Sequence, residues 1–246
     1  MRVGIKGVGF DSVTPEQALD RAMALCDASG CKYVVTPNPE IVWLAQKQPE
    51  LMEALNGADL VIPDGIGIIY ASRILGVPLP SRVPGIELAA GLFRRIAERG
   101  DPVFLLGAKP GVAERAAENL KVQYPGLNIA GTGDGYFRED EPVIRRINEC
   151  RPKILLVCLG FPRQELWMAK HRDSLEAGLM LGLGGSLDVF AGDVKRAPEA
   201  WCRMNLEWLY RLLHQPSRLG RMMKLPVFLL SVVWERLKNG KTVAVQ

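Results

Sequence analysis

The chain has 246 residues, room for one large domain or two small ones. At 48% apolar and 24% charged residues it has the balance of a globular protein, which excludes a disordered chain, a collagen-like fibre and a small disulfide scaffold. The net charge of +4 is unevenly spread: residues 195–246 carry ten Lys or Arg against three Glu, while residues 1–194 carry 21 against 24 acidic groups. An acidic body with a basic tail points to a polyanionic partner for the tail: a membrane surface, a pyrophosphate or a nucleic acid. The five cysteines, Cys26, Cys31, Cys150, Cys158 and Cys202, form no CxxC pair. They read as free thiols in a reducing compartment. The first residues, MRVGIKGVGFDSVT, hold no apolar leader run, so the expected location is cytoplasmic.

Taken in chain order, strand and helix patterns alternate. Thr14 with Gln17 three residues on is a capping-box start, and Pro15 suits the first position of a helix over 14–29. Short apolar runs at 33–36, 59–62, 103–107, 127–131, 154–160 and 179–183 read as buried parallel strands. Helical stretches fall between them at 40–55, 67–75, 86–99, 112–124, 141–149 and 164–171. The alternation predicts an α/β fold, a Rossmann-like, mostly parallel sheet covered by helices on both faces. After Lys195 the strand signals stop, and helices are expected at 198–214, 216–224 and 226–238, each opening on a proline. The chain is therefore divided into an α/β body, residues 1–194, and a basic helical C-terminal appendage, residues 195–246. The apolar run 225–234 is too short for a membrane span, which takes about 20 residues. It is read either as a helix lying on a bilayer surface or as part of an ordinary helix pair docked on the body.

Ligands of such sheets bind beyond the carboxyl ends of the strands, so the residues there are the candidates. They are Thr36 and Asn38, Asp64, Gly107, Tyr136 in the stretch Gly131-Thr132-Gly133-Asp134-Gly135-Tyr136, Phe161 and Gln164, and Gly185, Ser186 and Asp188. Glycines at strand ends let backbone N–H groups approach a phosphate or a ring. Each candidate also has a local reading: Asp64-Gly65 as a turn, Ser186 as an N-cap, the others as caps of the helices they precede. The residues 131–135 lack the Rossmann dinucleotide spacing, and GxxxxGK[ST] is absent, which disfavours nicotinamide enzymes and P-loop NTPases. His171 and His214 lie 43 residues apart with no acidic partner at motif spacing, and no Asp-x-Asp pair occurs. Neither a metal site nor a Ser-His-Asp triad is expected, and no cofactor is called for. A nucleotide-sugar enzyme of this kind would meet the leaving diphosphate with cationic side chains or helix N-termini.

The ordered set of short motifs resembles the WecG/TagA/CpsF family of bacterial glycosyltransferases along most of the chain. The elements are Thr36-Pro37-Asn38-Pro39-Glu40, Pro63-Asp64-Gly65, Pro80-Ser81-Arg82-Val83-Pro84-Gly85, Leu105-Leu106-Gly107-Ala108, Gly135-Tyr136-Phe137 and Gly160-Phe161-Pro162-Arg163-Gln164-Glu165. Gly184-Gly185-Ser186-Leu187-Asp188-Val189, Gly192, Lys195-Arg196-Ala197-Pro198 and Leu206-Glu207-Trp208-Leu209-Tyr210-Arg211-Leu212 complete it. Arg163 stands where Lys is more usual and Asn205 where Gly is frequent. The resemblance implies inverting transfer of an N-acetylmannosamine-type sugar from a UDP donor to undecaprenyl-diphosphate-linked N-acetylglucosamine, for teichoic acid or another surface polymer. It places the general base on Asp64 and site residues on Thr36, Asn38, Arg82 and Gln164. It also gives the appendage, through Arg211, Arg218 and Arg221, a part in completing the active site at the membrane.

The expected partners are thus a UDP-sugar, a polyprenyl-diphosphate acceptor and the inner face of the cytoplasmic membrane; a homo-oligomer is admitted. Nucleic acid is not expected, because the basic residues of the tail are not interleaved with stacking aromatics. Two rival readings stand: a nucleotide-sugar hydrolase or epimerase on the same scaffold, and a non-enzymatic polyanion-binding module.

Overall fold

The computed structural model describes residues 1–204, 206–214 and 224–239. The chain opens with a hairpin of β1 (Arg2–Ile5) and β2 (Val8–Asp11), followed by α1 (Pro15–Cys26), β3 (Lys32–Val35), α2 (Pro39–Ala45), α3 (Pro49–Asn56) and β4 (Leu60–Val61). Then come α4 (Ile66–Leu75), α5 (Gly85–Ala97), β5 (Pro102–Gly107), α6 (Val112–Gln123), β6 (Asn128–Gly133), α7 (Asp140–Cys150) and β7 (Ile154–Cys158). The order closes with α8 (Arg163–His171), β8 (Leu179–Gly182), α9 (Ser186–Phe190), α10 (Glu199–Arg203), α11 (Glu207–His214) and α12 (Lys224–Asn239).

Six strands form one sheet in the order β4-β3-β8-β7-β5-β6, and every pairing in it is parallel. The strands alternate strictly between two cores, as a period of two requires. Tyr33, Val35, Phe104, Leu106, Leu155 and Val157 face a first core with α2, α3, α4, α8 and α12. Val34, Val103, Leu105, Ile154 and Leu156 face a second core with α1, α5, α6 and α9. The expected α/β sheet with helices on both faces is the observed one, and α1 carries the capping box of Thr14 and Gln17 with Pro15 in its first turn.

Three local readings are corrected. The β1–β2 hairpin falls outside the expected strands; its turn is Lys6-Gly7 with φ of 52° and 83°, the left-handed pair that a two-residue hairpin loop needs. Val3, Ile5, Val8 and Phe10 are buried, but Gly4 and Gly9 occupy alternate positions and blur the pattern. Residues 40–55 are two helices, not one: Gln48 is extended (φ −132°, ψ 94°) before Pro49, as the proline ring demands of its predecessor. Residues 198–214 also divide. The Leu206 N–H bonds back to the Trp201 carbonyl at 2.9 Å, a closure that ends α10. Of the helix expected at 216–224, all but Lys224 lies outside the described residues.

The final helix joins the body. Phe228 and Val232 of α12 are fully buried in the first core, and Gly67 in α4 makes room for Leu225. A Cβ on Gly67 would stand inside contact distance of Leu225 and Pro39. The opposite side of α12 presents Val227, Leu230, Trp234 and Leu237 to solvent. Among the described residues no helix is long and apolar enough to cross a membrane.

Candidate active site

The chain leaves β5 through α6 towards β6 and leaves β7 through α8 towards β8, in opposite directions along the sheet. The two helices accordingly lie on opposite faces, α6 in the second core and α8 in the first. Where neighbouring strands diverge this way, a crevice opens at their carboxyl ends. Gly107 ends β5 with φ 136°, and a Cβ there would run into the Cys158 carbonyl of β7. Only glycine lets the two backbones approach so closely. The Ala108 N–H donates to the Cys158 carbonyl at 3.2 Å, and the Ala108 carbonyl accepts from Gly135 N–H at 2.9 Å. Arg163 donates to the carbonyls of Gly135 (2.5 Å) and Phe137 (3.3 Å) and stacks 4.5 Å over the Phe137 ring. Its charge therefore pins the exit of β6 across the ends of β5 and β7. Tyr136 on that exit is 66% exposed, whereas Phe161 packs half-buried against the first core.

On the other side, β3, β4 and β8 end side by side. Thr36 is buried and its hydroxyl donates to the Gly182 carbonyl at 3.0 Å, tying β3 to the end of β8. Asn38 caps α2, its Oδ1 accepting from the N–H groups of Glu40 (2.9 Å) and Ile41 (3.1 Å). Asp64 is partly buried in the turn between β4 and α4. The next residue, Gly65, lies against Asn38. The Val83 N–H donates to the Pro63 carbonyl at 2.9 Å, which draws the segment carrying Arg82 alongside the Asp64 turn. Gly85 at the head of α5 packs against Thr36 and Leu183.

Gln164 grips the exit of β8 from the β7 side. It is 2% exposed; its Nε2 donates to Glu165 Oε1 at 2.7 Å and its Oε1 accepts from Gly184 N–H at 2.9 Å. Thr36 and Gln164 thus flank one strand end rather than lying on opposite edges of the sheet. Both direct their polar atoms at protein groups. Beyond them Gly185 is exposed. Ser186 is the first residue of α9 rather than its N-cap, which is Gly185; its hydroxyl donates to the Leu183 carbonyl at 2.8 Å. Asp188 lies one turn on, half-buried, with its carboxylate next to Gly185.

The appendage meets this edge through buried and half-buried charges. Arg82 pairs with Glu207 of α11 at 2.9 Å, with both side chains close to nine-tenths buried. Arg196 pairs with Glu87 of α5, and Lys224 of α12 with Glu40 of α2 at 3.0 Å. Lys6 in the hairpin turn holds both Glu235 (2.9 Å) and the Ser231 carbonyl (3.0 Å) of α12. Arg211 belongs to α11, while Arg218 and Arg221 lie outside the described residues.

Two further residues of the site, Glu165 and Glu207, stand in these motifs beside the expected site residues. Glu165 is 1% exposed, its Oε2 has no hydrogen-bond partner among the described residues, and burial pushes its carboxyl above the usual range against the pull of the Gln164 amide. Glu207 carries the contact between Arg82 and α11. Their one signal in the sequence is adjacency to Gln164 and to Leu206 within those motifs. Among the described residues no group of three His, Cys, Asp or Glu could hold a metal ion. The arrangement can supply a carboxylate at Asp64, a guanidinium at Arg82 and open glycine backbone at 184–185 along one edge.

The glycosyl transferase family WecG/TagA/CpsF matches residues 3–242. An N-acetylglucosaminyldiphosphoundecaprenol N-acetyl-beta-D-mannosaminyltransferase of Bacillus spizizenii is 39% identical over 209 residues, covering 85% of this chain and 81% of the relative. A protein of the same name from Staphylococcus aureus strain MW2 is 37% identical over 242 residues, covering 98% and 95%. With a parallel sheet whose carboxyl edge gathers Thr36, Asp64, Arg82 and Gln164, and a match spanning body and appendage alike, this chain belongs to the WecG/TagA/CpsF family of glycosyl transferases.

Proposed function

We propose that this enzyme transfers an N-acetylmannosamine-type sugar, with inversion, from a UDP donor to undecaprenyl-diphosphate-linked N-acetylglucosamine at the cytoplasmic face of the membrane, supplying a surface polymer such as teichoic acid. The observation that carries the reading is the activity named for the Bacillus and Staphylococcus relatives, whose matches cover 85% and 98% of this chain. The acceptor hydroxyl attacks the anomeric carbon from the face opposite UDP and passes its proton to the Asp64 carboxylate. Negative charge then gathers on the departing diphosphate, and Arg82 with Arg211, Arg218 and Arg221 of the appendage meets it. The buried pair with Glu207 holds the Arg82 guanidinium beside the Asp64 turn. Thr36, Asn38 and Gln164 shape the floor of the donor pocket by fixing the exits of β3 and β8, and Gly107, Tyr136, Phe161, Gly185, Ser186 and Asp188 line its rim. In this reading residues 195–246 bring the acceptor side of the site to the bilayer, and the exposed apolar side of α12 rests among the headgroups.

The test is to offer a panel of UDP-sugars with a short-chain lipid-diphosphate N-acetylglucosamine acceptor and weigh the products. A lipid-linked disaccharide formed from UDP-N-acetylmannosamine is the expected result. Donor consumption at the same rate without acceptor would replace transfer by hydrolysis or epimerisation.

A further inference from the structure

Glu165 sits at the third position of α8, 1% exposed, with one carboxyl oxygen on the Gln164 amide at 2.7 Å and the other without a hydrogen-bond partner among the described residues. No ion pair reaches it among the described residues. An ionised carboxylate there would be a buried charge without a counter-charge, so the neutral acid is the species that fits. Gln164 is buried beside it, and the glycine at 182 leaves the space its amide occupies. A Cβ on Gly182 would stand 3.3 Å from Gln164 Nε2 and 2.7 Å from Met168 Cε.

A glutamine amide has nearly the same shape in its two orientations, and hydrogen bonding decides between them. With Nε2 on Glu165 Oε1, Gln164 Oε1 faces the Gly184 N–H at 2.9 Å. Turned over, the amide would lose Glu165 Oε1 as acceptor for its N–H and set N–H against N–H at Gly184. Gly184 opens the turn that exposes Gly185 and leads into α9. We infer that Glu165 is a positioning residue for donor binding: it fixes the Gln164 amide, which in turn holds the Gly184 N–H and sets the shape of the turn at 184–186 that receives the nucleotide sugar. The inference rests on the transferase reading above.

The full-length protein tests it through Glu165→Leu, Glu165→Gln, Gln164→Ala and the double variant Glu165→Leu/Gln164→Ala, with donor and acceptor KM and kcat measured separately and UDP binding followed by calorimetry. Leu fills the site without an acceptor for the amide. It is expected to raise the donor KM and weaken UDP binding by about tenfold, the loss of one buried hydrogen bond, and to leave the acceptor KM unchanged. Gln keeps an acceptor oxygen and is expected to restore donor KM to within about threefold of wild type. In the Gln164→Ala background the Leu substitution is expected to add nothing, because Glu165 acts through that amide. A wild-type donor KM in Glu165→Leu, or a penalty that persists without Gln164, would overturn the inference. So would a Gln variant as impaired as Leu. Should Glu165→Leu not fold, Glu165→Met, which also lacks an acceptor for the amide, takes its place with the same expected and overturning outcomes. A wild-type protein that neither binds UDP nor transfers sugar would refute the transferase reading instead.

Discussion

Asp64 is the carboxylate on which the proposed chemistry turns, placed between the short edge strand β4 and the glycine-rich start of α4. Asp64→Asn preserves its shape and removes its basicity. Turnover is expected to fall by about 10²–10⁴-fold while the melting temperature stays within a few degrees of wild type; the two measurements together separate a base from a turn-former. Glu165 titrates with the opposite logic to a paired surface acid. Burial raises its carboxyl in the folded protein, so the native state binds a proton that the unfolded state releases. Its contribution to stability is present below the unfolded glutamate value of about 4.3 and is lost as pH rises towards the raised native value. Glu165→Gln lacks that titration. Thermal melts across a pH series are expected to show the variant gaining on wild type as pH climbs above about 4.3, and no gain below it. A difference that does not change with pH would show that the buried acid does not titrate.

At the scale of elements, α12 is the informative one. Positions 225, 228 and 232 face the body, and positions 227, 230, 234 and 237 face solvent, so both sides of this helix are apolar. Phe228 is fully buried against the first core, and replacing so large an aromatic by Ala costs about 3–5 kcal/mol where the site cannot collapse. Phe228→Ala is therefore expected to loosen α12 before the sheet. Limited proteolysis or hydrogen exchange should show early opening of residues 224–239 while β5, β7 and β8 remain protected. Simultaneous loss of protection in the sheet would mean that helix and body unfold as one unit. The helices α2 and α3 teach a complementary lesson: the apolar spacing of residues 40–55 is continuous, yet Pro49 divides it, because local backbone chemistry overrides periodicity.

For the whole molecule, the exposed apolar side of α12 and the basic balance of residues 195–246 make two membrane signals, which together suit reversible attachment. Leu230→Glu with Trp234→Glu changes side chains that are 69% and 71% exposed, so the fold is expected to be kept. Sedimentation with anionic vesicles should fall several-fold, and rising salt should weaken wild-type binding, since screening acts over about 10 Å at 0.1 M. Unchanged sedimentation would refute the proposed part of α12 in membrane binding. Activity is expected to survive exhaustive treatment with a chelator, because the proposed mechanism has arginines meet the diphosphate in place of a divalent ion. A strict dependence restored by Mg²⁺ or Mn²⁺ would reveal a metal bound jointly with substrate.

The sequence by itself determined the layered α/β architecture. Continuous apolar runs such as 154–158, punctuated by glycines, admit little else than buried parallel strands. With the strands placed, their carboxyl ends made Thr36, Asn38, Gln164 and Asp188 the expected lining of one pocket. Tertiary structure alone decided what those residues touch. Thr36 and Gln164 meet at β8 because that strand inserts between β3 and β7, an order that local patterns do not encode. Arg82 finds Glu207 across 125 residues, and Phe228 finds the first core from beyond position 220. Such contacts depend on which surfaces remain uncovered after the sheet has formed, and burial of the remaining apolar area, rather than any short-range preference, selects them.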